Sequence, residues 1–440
     1  MNKQILRLAI PNIISNLSVP LLGAVDTAII GRLDHIYYLG AIAVGSIIFD
    51  FIFWGFGFLR MGTTGLVAQA YGAGDERETR VILMRVLLVA ALASFLILIL
   101  QYPLIKISLE LVHASPEVES YTQVYYFIRI FSAPATLALF GLNGWFLGMQ
   151  NSKYPMLVTI VLNLLNVVLN LVFVLRFDMN VAGVAWGSLI ASYLAFMFAL
   201  FLFKRKYGGV KMNLKFKEAF NPAELSKFFS VNRDIFIRTL CLIFSYAFFT
   251  AKSAESGDLT LAANTILLQL WYMSAYGIDG FAFAAESLVG KFKGALDILN
   301  LKNAIKYSFI WGLGLGVVGS LIYLLLGERL ITVFTNNEEV LVAAGVVLVW
   351  TIWAPLINSV CFIWDGIYIG ATATKVMRNS MLIATVLFFV PIYYLSEPVI
   401  GVHALWLSMA AFMLVRGVTL TIWAPSQIFK LIKEKKVELV

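Results

Sequence analysis

The chain has 440 residues, of which 60% are hydrophobic and 13% are charged, and its formal net charge is +8. Soluble globular domains carry about 25% charged residues, so this composition excludes a soluble protein and indicates an integral membrane protein. We attribute the positive charge to membrane topology and expect no nucleic-acid partner.

Twelve apolar stretches are long enough to cross a hydrocarbon core of about 30 Å as helices. The predicted spans are 5–31, 36–70, 80–105, 118–148, 154–175, 181–203, 226–252, 259–290, 304–326, 339–370, 376–395 and 400–429. The sequence lacks the alternating pattern of outer-membrane strands. It therefore predicts an all-α membrane protein with twelve transmembrane helices.

The distribution of lysine and arginine predicts the orientation of these spans. With both termini in the cytoplasm, 24 of the 33 basic residues lie on the inner side, five lie outside and four lie within spans. This bias follows the positive-inside rule. We expect a multi-pass protein of the cell inner (plasma) membrane, surrounded by the lipid bilayer, with cytoplasmic termini.

The first span, NLSVPLLGAVDTAIIG at 16–31, contains a single carboxylate, Asp26. A charged side chain at the centre of a membrane helix costs at least about 2.5–3.5 kcal/mol, which makes Asp26 a candidate functional residue. Pro20 bends the helix, and Gly23 leaves room beside the carboxylate. We interpret Asp26 as a proton or cation site. The alternative is that Asp26 has a purely structural role, with a hydrogen-bond partner on a neighbouring helix or a position near the membrane interface.

The fifth span carries three asparagines on one helical face, at positions i, i+3 and i+7. Amides in hydrocarbon need hydrogen-bond partners, so this face must point into the bundle. We predict that these amides and Asp26 form one polar coupling pocket. The alternative is that the amides only form hydrogen bonds that hold helices together. The members of the pocket besides Asp26 are Asn163, Asn166, Asn170 and, from the sixth span, Ser188. No metal site is certain, but Asp26, Asn166 and Asn170 could supply oxygen ligands to Na⁺.

An internal repeat divides the chain. GLVAQAYGAGD at 65–75 returns as SLVGKFKGALD at 287–297, a shift of 222 residues. At the same shift, NGWFLG at 143–148 returns as DGIYIG at 365–370. Two ordered matches at one offset indicate a duplicated structure.

The repeat predicts two pseudo-symmetric lobes of six helices each. The N-lobe covers 1–203, a cytoplasmic linker covers 204–225, and the C-lobe with a basic C-terminal tail covers 226–440. Because six is even, both lobes enter the membrane from the same face. This arrangement is typical of secondary transporters.

The second half has its own polar groups within spans. Its acids lie on the eighth and tenth spans, and an aromatic residue next to the acid of the tenth span suits a cation pocket. As tentative substrate-binding residues we select Asp279, Glu286, Asp365 and Tyr368. Arg238 and Arg416 lie in spans of the same half, so ion pairing is the alternative role for each acid.

Several motifs along the chain match one transporter family. They are LRLAIPNIISNLSVPLLGAVDTAIIGRL, GLVAQAYGAGD, NGWFLGMQNSKYP, VNRDIFIR, YGIDGFAF, DGIYIGAT, MRNSM and HALWL. The first three resemble the multidrug and toxic compound extrusion (MATE) transporters, and the others resemble the DinF branch of that family.

This resemblance implies a V-shaped pair of six-helix bundles that works by alternating access. It also implies export of small amphipathic or cationic substrates against protons, or sodium, without a cofactor. The coupling role of the family's first-span aspartate transfers to Asp26. Some relatives have a second aspartate where this chain has Asn170, so a relay between two carboxylates is not expected here. We expect a monomer.

Two other functions fit parts of this pattern. A lipid-linked glycan flippase of the wider superfamily would share the two-lobe plan, but it would be expected to have a basic cavity, whereas the intramembrane charges here are mostly acidic. A membrane-embedded enzyme would need a catalytic motif. The sequence contains no HExxH or GxSxG pattern, so we expect a transporter and no enzymatic activity.

Overall fold

The computed structural model of the chain describes residues 1–30, 35–112, 114–209 and 216–430. Within these ranges every regular element is a helix. A helix satisfies its backbone hydrogen bonds within one segment, which hydrocarbon requires because it contains no water to act as a partner. The side chain of Asp26, the linker residues 210–215 and the tail at 431–440 lie outside the described residues.

Seventeen α-helices follow one another in the described part of the chain. They are α1 (Asn2–Ile30), α2 (Ile36–Gly55), α3 (Phe58–Gly72), α4 (Glu76–Ile99), α5 (Gln101–Val112), α6 (Pro116–Arg129), α7 (Ala133–Gly148), α8 (Lys153–Leu171), α9 (Asn180–Tyr207), α10 (Phe216–Ala219), α11 (Pro222–Glu255), α12 (Asp258–Gly294), α13 (Ile298–Ile331), α14 (Glu338–Gly370), α15 (Thr374–Leu382), α16 (Val390–Ile400) and α17 (His403–Ala424). Wider π-helical turns extend α8 over Val172–Arg176 and join α15 to α16 over Ile383–Phe389.

Ten helical segments of the described chain are long and apolar enough to cross a membrane. Helices α1 and α12, with 29 and 37 residues, coincide with the other two predicted spans and exceed the length that a crossing needs. The second predicted span is broken between α2 and α3, and the third, predicted at 80–105, ends inside the separate helix α5.

Local sequence signals explain where several helices begin. The side chain of Asn337 accepts hydrogen bonds from the backbone N–H groups of Glu339 and Val340, at 2.9 and 3.3 Å, and so caps α14. Asp297, the last residue of the repeated motif, caps α13 by accepting from the N–H of Asn300 at 3.0 Å. Gly257 has a φ of 104°, which permits the sharp turn between α11 and α12.

The chain forms two compact units. One unit contains Met1–Ile13, Thr64–Asp75 and Lys227–Val440, and the other contains Ile14–Thr63 and Glu76–Ser226. The first unit therefore includes the start of α1 and the end of α3 in addition to the helices of the second half. The predicted division into an N-lobe, a linker at 204–225 and a C-lobe follows the sequence repeat. It stays a prediction.

Close glycine contacts occur at equivalent positions of the two repeats. In one unit, a Cβ atom at Gly144 would overlap the carbonyl oxygen of Arg60. In the other unit, a Cβ atom at Gly366 would overlap the carbonyl oxygen of Ala282. Both residues of the second pair lie 222 positions after those of the first pair. The same helix packing is thus built twice, as the sequence repeat predicts.

A second set of glycine contacts is reciprocal and lies inside one unit. Gly72 packs against the carbonyl oxygen of Lys291, and Gly294 packs against the carbonyl oxygen of Gln69. Positions 72 and 294, like 69 and 291, are equivalent in the repeat. The end of α3 therefore contacts the end of α12 through a local two-fold arrangement. The side-chain amide of Gln69 adds a hydrogen bond to the carbonyl of Gly370 at 2.9 Å.

We expect Gly366→Ala to destabilise the protein by about 1–3 kcal/mol, because the new methyl group meets backbone atoms that cannot move independently. Gly345→Ala on the same helix is the matched control, since no heavy atom lies within 4 Å of a Cβ atom there. It should be neutral or slightly stabilising. Thermal unfolding in detergent measures both. Equal unfolding temperatures for the two variants would contradict the close packing at Gly366.

Candidate functional site

Helix α8 presents its three asparagines on a buried face. Asn166 and Asn170 are 7% and 1% exposed, and Asn163 is half-buried. The residues between them are apolar, so the helix places a polar stripe in an otherwise hydrophobic surface. This agrees with the predicted inward orientation of the stripe.

Hydrogen bonds connect this stripe to α9. Asn170 Nδ2 donates to Asn166 Oδ1, and Asn166 Nδ2 donates to Ser188 Oγ, both at 2.9 Å. Ser192 Oγ donates to the carbonyl oxygen of Ser188 at 2.8 Å. Gly187 makes room for the amides, because a Cβ atom there would overlap Asn170 Oδ1. The structure therefore brings together three of the predicted pocket residues, Asn166, Asn170 and Ser188.

The third asparagine connects α8 to α1. Asn163 Nδ2 donates to Ser18 Oγ at 2.9 Å, and Ser18 Oγ donates to the carbonyl oxygen of Ser15 at 2.7 Å. Ser18 and Asp26 are both residues of α1, eight positions apart. Ser18 was not among the residues selected from the sequence, although it lies in the same apolar stretch as Asp26. The role of Asp26 stays a prediction, because its side chain lies outside the described residues.

In the second half, Asp365 of α14 is 5% exposed and forms two ion pairs. Its Oδ2 atom accepts a hydrogen bond from the guanidinium of Arg238 on α11, and another from Arg416 on α17 at 2.5 Å. These three groups, which we call the charge triad, carry a net charge of +1. The sequence left two roles open for Asp365, substrate binding and ion pairing. The structure contains the ion pair.

Further contacts hold the charge triad in place. Arg416 is 1% exposed, its guanidinium lies 5.1 Å from the ring centre of Phe412, and Nη1 lies 3.1 Å from Met413 Sδ. Charges buried in this way are tolerated when they are paired, and they cost several kcal/mol when one partner is lost. The charge triad therefore joins α11, α14 and α17.

The other predicted residues of the second half occupy different environments. Tyr368 has no accessible surface and donates to the carbonyl oxygen of Leu420 at 2.7 Å, so its hydroxyl joins α14 to α17. Glu286 is fully buried, and Asp279 is half-buried on the same helix, α12. The binding role of these three residues and of Asp365 stays a prediction.

Two polar features were not selected from the sequence. Asp234 is 2% exposed and pairs with Arg378 Nη1 at 2.7 Å, which connects the motifs VNRDIFIR and MRNSM. Asp50 lies on α2 with an exposed side chain, so the first half contains an intramembrane acid besides Asp26. Its position in the apolar run FDFIF was the available signal.

Within the described residues, no group of three or more His, Cys, Asp or Glu side chains could hold a metal ion. The side chain of Asp26 is outside that search. The possible sodium ligands Asp26, Asn166 and Asn170 therefore stay a prediction.

We expect Asp365→Asn to destabilise the protein by about 3–5 kcal/mol, because two buried guanidinium groups lose their only carboxylate within the triad. Arg238→Met should cost less, since Arg416 and Asp365 remain as a neutral pair. Thermal unfolding in detergent compares them, with Lys252→Gln, in an exposed ion pair, as the control that should not change. A larger loss for Arg238→Met would contradict this electrostatic account.

Comparisons with known proteins agree with the repeat and with the fold. The MatE family model matches residues 11–172 and 235–395, two segments that begin 224 residues apart. The chain is 37% identical to DNA damage-inducible protein F of Escherichia coli (strain K12), covering 96% of this chain and 92% of that protein. It is 21% identical to the multidrug export protein MepA of Staphylococcus aureus (strain bovine RF122 / ET3-1), covering 92% of this chain and 90% of that protein.

Solved structures share the fold. The Vibrio cholerae MATE transporter VcmN in the bent form matches with a TM-score of 0.86 and 18% identity, over 97% of each chain. A MOP superfamily transporter from Pyrococcus furiosus matches with a TM-score of 0.87 and 18% identity, over 98% of this chain and 96% of that one. The predicted fold class, an all-α membrane protein with the twelve-helix, two-lobe MATE fold, is thereby confirmed. The chain belongs to the MATE family of transporters.

Proposed function

We propose that this protein is a secondary active exporter that exchanges small cationic or amphipathic compounds for protons. Its family and the name of its relative, multidrug export protein MepA, support export of organic compounds. The observation that carries the coupling proposal is that the amides of α8 make polar contacts on two sides. Asn166 and Asn170 form a buried hydrogen-bonded set with Ser188 of α9, and Asn163 separately bonds to Ser18 of α1, the helix that contains Asp26.

In the proposed cycle, Asp26 accepts a proton from the outer side and releases it to the cytoplasm. One elementary charge that moves inward through about 100 mV gains about 2.3 kcal/mol. The proton and the exported compound need not share a residue. It is enough that each binds preferentially to a different conformation, because a ligand shifts an equilibrium only by its differential affinity.

Two local features suit such a change of conformation. Pro20 lies between Ser18 and Asp26 in the sequence and has no N–H to donate to the carbonyl of Asn16, so this is where protonation of Asp26 can alter the bend of the helix. The reciprocal contacts of Gly72 and Gly294 join equivalent segments of the two repeats, α3 and α12, through backbone atoms.

The hydrogen-bond pattern favours a proton over sodium as the coupling ion. Sodium needs several oxygen ligands, as hard cations do. Asn166 Oδ1 and Ser188 Oγ each accept a hydrogen bond from a neighbouring amide, so they are less available to a cation. A single carboxyl group is sufficient for a proton.

Asp26→Asn should abolish proton-driven export while the protein still inserts and folds, because the amide keeps the shape of the side chain and removes its titratable charge. The measurement is dye export from proteoliposomes with an imposed proton gradient. The same vesicles with an imposed sodium gradient test the rival ion.

Asp50→Asn is the matched control, since it makes the same change at another acid within the helices of the first half. It should retain export. Normal transport by Asp26→Asn would make Asp26 structural, and loss of transport in Asp50→Asn alone would place coupling at α2.

For the organic cation, we propose that Asp279 provides the attraction in the second half. Asp279 is half-buried, so part of its side chain is accessible, whereas Asp365 is only 5% exposed. In this proposal Glu286 and Tyr368 are part of the wall of the cation-binding site.

Asp279→Asn should weaken the binding of tetraphenylphosphonium to the purified protein by about tenfold, which corresponds to about 1.4 kcal/mol of lost attraction. Binding of an uncharged amphipathic dye should be unchanged. Equilibrium binding to protein in detergent measures both. Equal loss for the charged and the uncharged ligand would indicate a structural role for Asp279.

The net charge of +1 on the charge triad favours the flippase alternative, because it would suit an anionic substrate. The proteoliposome assay separates the two functions. Movement of an anionic lipid-linked glycan without export of organic cations would support the flippase.

A further inference from the structure

A cavity of about 770 Å³ lies between α5 and α6, away from the polar stripe of α8. Aromatic and aliphatic side chains form part of its wall, with the rings of Tyr102 and Phe127 at a centroid distance of 5.2 Å. Ile105, which is 5% exposed, and Leu109 complete the apolar part. The cavity therefore has an apolar side formed by aromatic and aliphatic residues.

The polar part of the wall carries both signs of charge. Lys106 and Glu110 come from α5, and Glu119 comes from α6. Among the described residues, none of these three groups lies within 4.0 Å of an oppositely charged group. Gln123 adds an amide. The wall thus presents one cation and two anions, with a formal charge of −1.

The cavity lies at one surface of the membrane. Helix α4 has 24 residues and is about 36 Å long, enough to cross the hydrocarbon core, so α5 begins on the far side. The positive-inside rule places that side outside. On α5, Ile107 and Leu111 are 56% and 76% exposed, which is typical of a helix that lies among lipid headgroups.

We propose that this cavity binds the headgroup of a phospholipid with a primary ammonium and a phosphate, that is, phosphatidylethanolamine. The ammonium donates hydrogen bonds to the carboxylates of Glu110 and Glu119, and the phosphate pairs with Lys106. The acyl chains follow the apolar wall at Tyr102 and Phe127 into the bilayer. A phosphoglycerol headgroup leaves the carboxylates without a cation, and a phosphocholine headgroup has no N–H donor.

The test uses the full chain in lipid nanodiscs that contain phosphatidylethanolamine, phosphatidylcholine or phosphatidylglycerol. Native mass spectrometry counts the lipids that the protein retains after release from the nanodisc. Wild-type protein should retain phosphatidylethanolamine about tenfold more than either other lipid. Lys106→Gln and Glu119→Gln should each lower this retention about tenfold, which is the effect expected for a lost charge-assisted hydrogen bond.

Lys252→Gln is the matched control. Lys252 is also an outer-side lysine by the positive-inside rule, but it pairs with Glu255 at 2.6 Å and does not line the cavity. Its retention of lipid should equal that of wild type.

Three results would overturn the proposal. One is equal retention of the three lipids by wild type, and another is equal retention by Lys106→Gln and Lys252→Gln. The third is that tetraphenylphosphonium displaces the lipid and that its binding requires Glu119. The cavity would then bind exported cations. Loss of export in Asp26→Asn tests the proposed coupling residue and would not change any of these lipid-binding results.

Discussion

The structure depends on one constraint, which is that hydrocarbon offers no hydrogen-bond partner. Each buried polar group must therefore find a partner inside the protein. The helices satisfy the backbone in this way. Some side chains follow the same rule: Asn166 donates to Ser188, and Asp365 accepts from two arginines. These contacts also determine which helices are neighbours, since each of them connects different helices.

The two repeats meet this constraint with different chemistry. In the first half, neutral amides and hydroxyls form the polar contacts of α8, and α1 contains one acid, Asp26. In the second half, position 365 carries a carboxylate where the first repeat has Asn143, and two arginines neutralise it. A triad of fixed charges suits a permanent connection between helices.

Glycine has a separate role in both repeats. The contacts of Gly144 and Gly366 let helices approach so closely that a side chain would meet a carbonyl oxygen. Packing of this kind is common in membranes, where association between helices depends on close contact more than on burial of apolar surface. The reciprocal contacts of Gly72 and Gly294 extend it to equivalent segments of the two repeats. Because the two repeats share one sequence pattern, they pack in a similar way, and the equivalent ends of α3 and α12 contact each other reciprocally.

The sequence by itself determined the membrane class, the helical spans, the 222-residue repeat and the polar face of α8. These features depend on composition and on local periodicity, which are properties of single segments. The tertiary structure decided which polar groups are partners. The pairing of Asp365 with Arg238 and Arg416 joins residues up to 127 positions apart, and the partner of Asn163 is Ser18 on another helix. Local patterns cannot predict such pairs, because helices that are distant in the sequence become neighbours only when they pack.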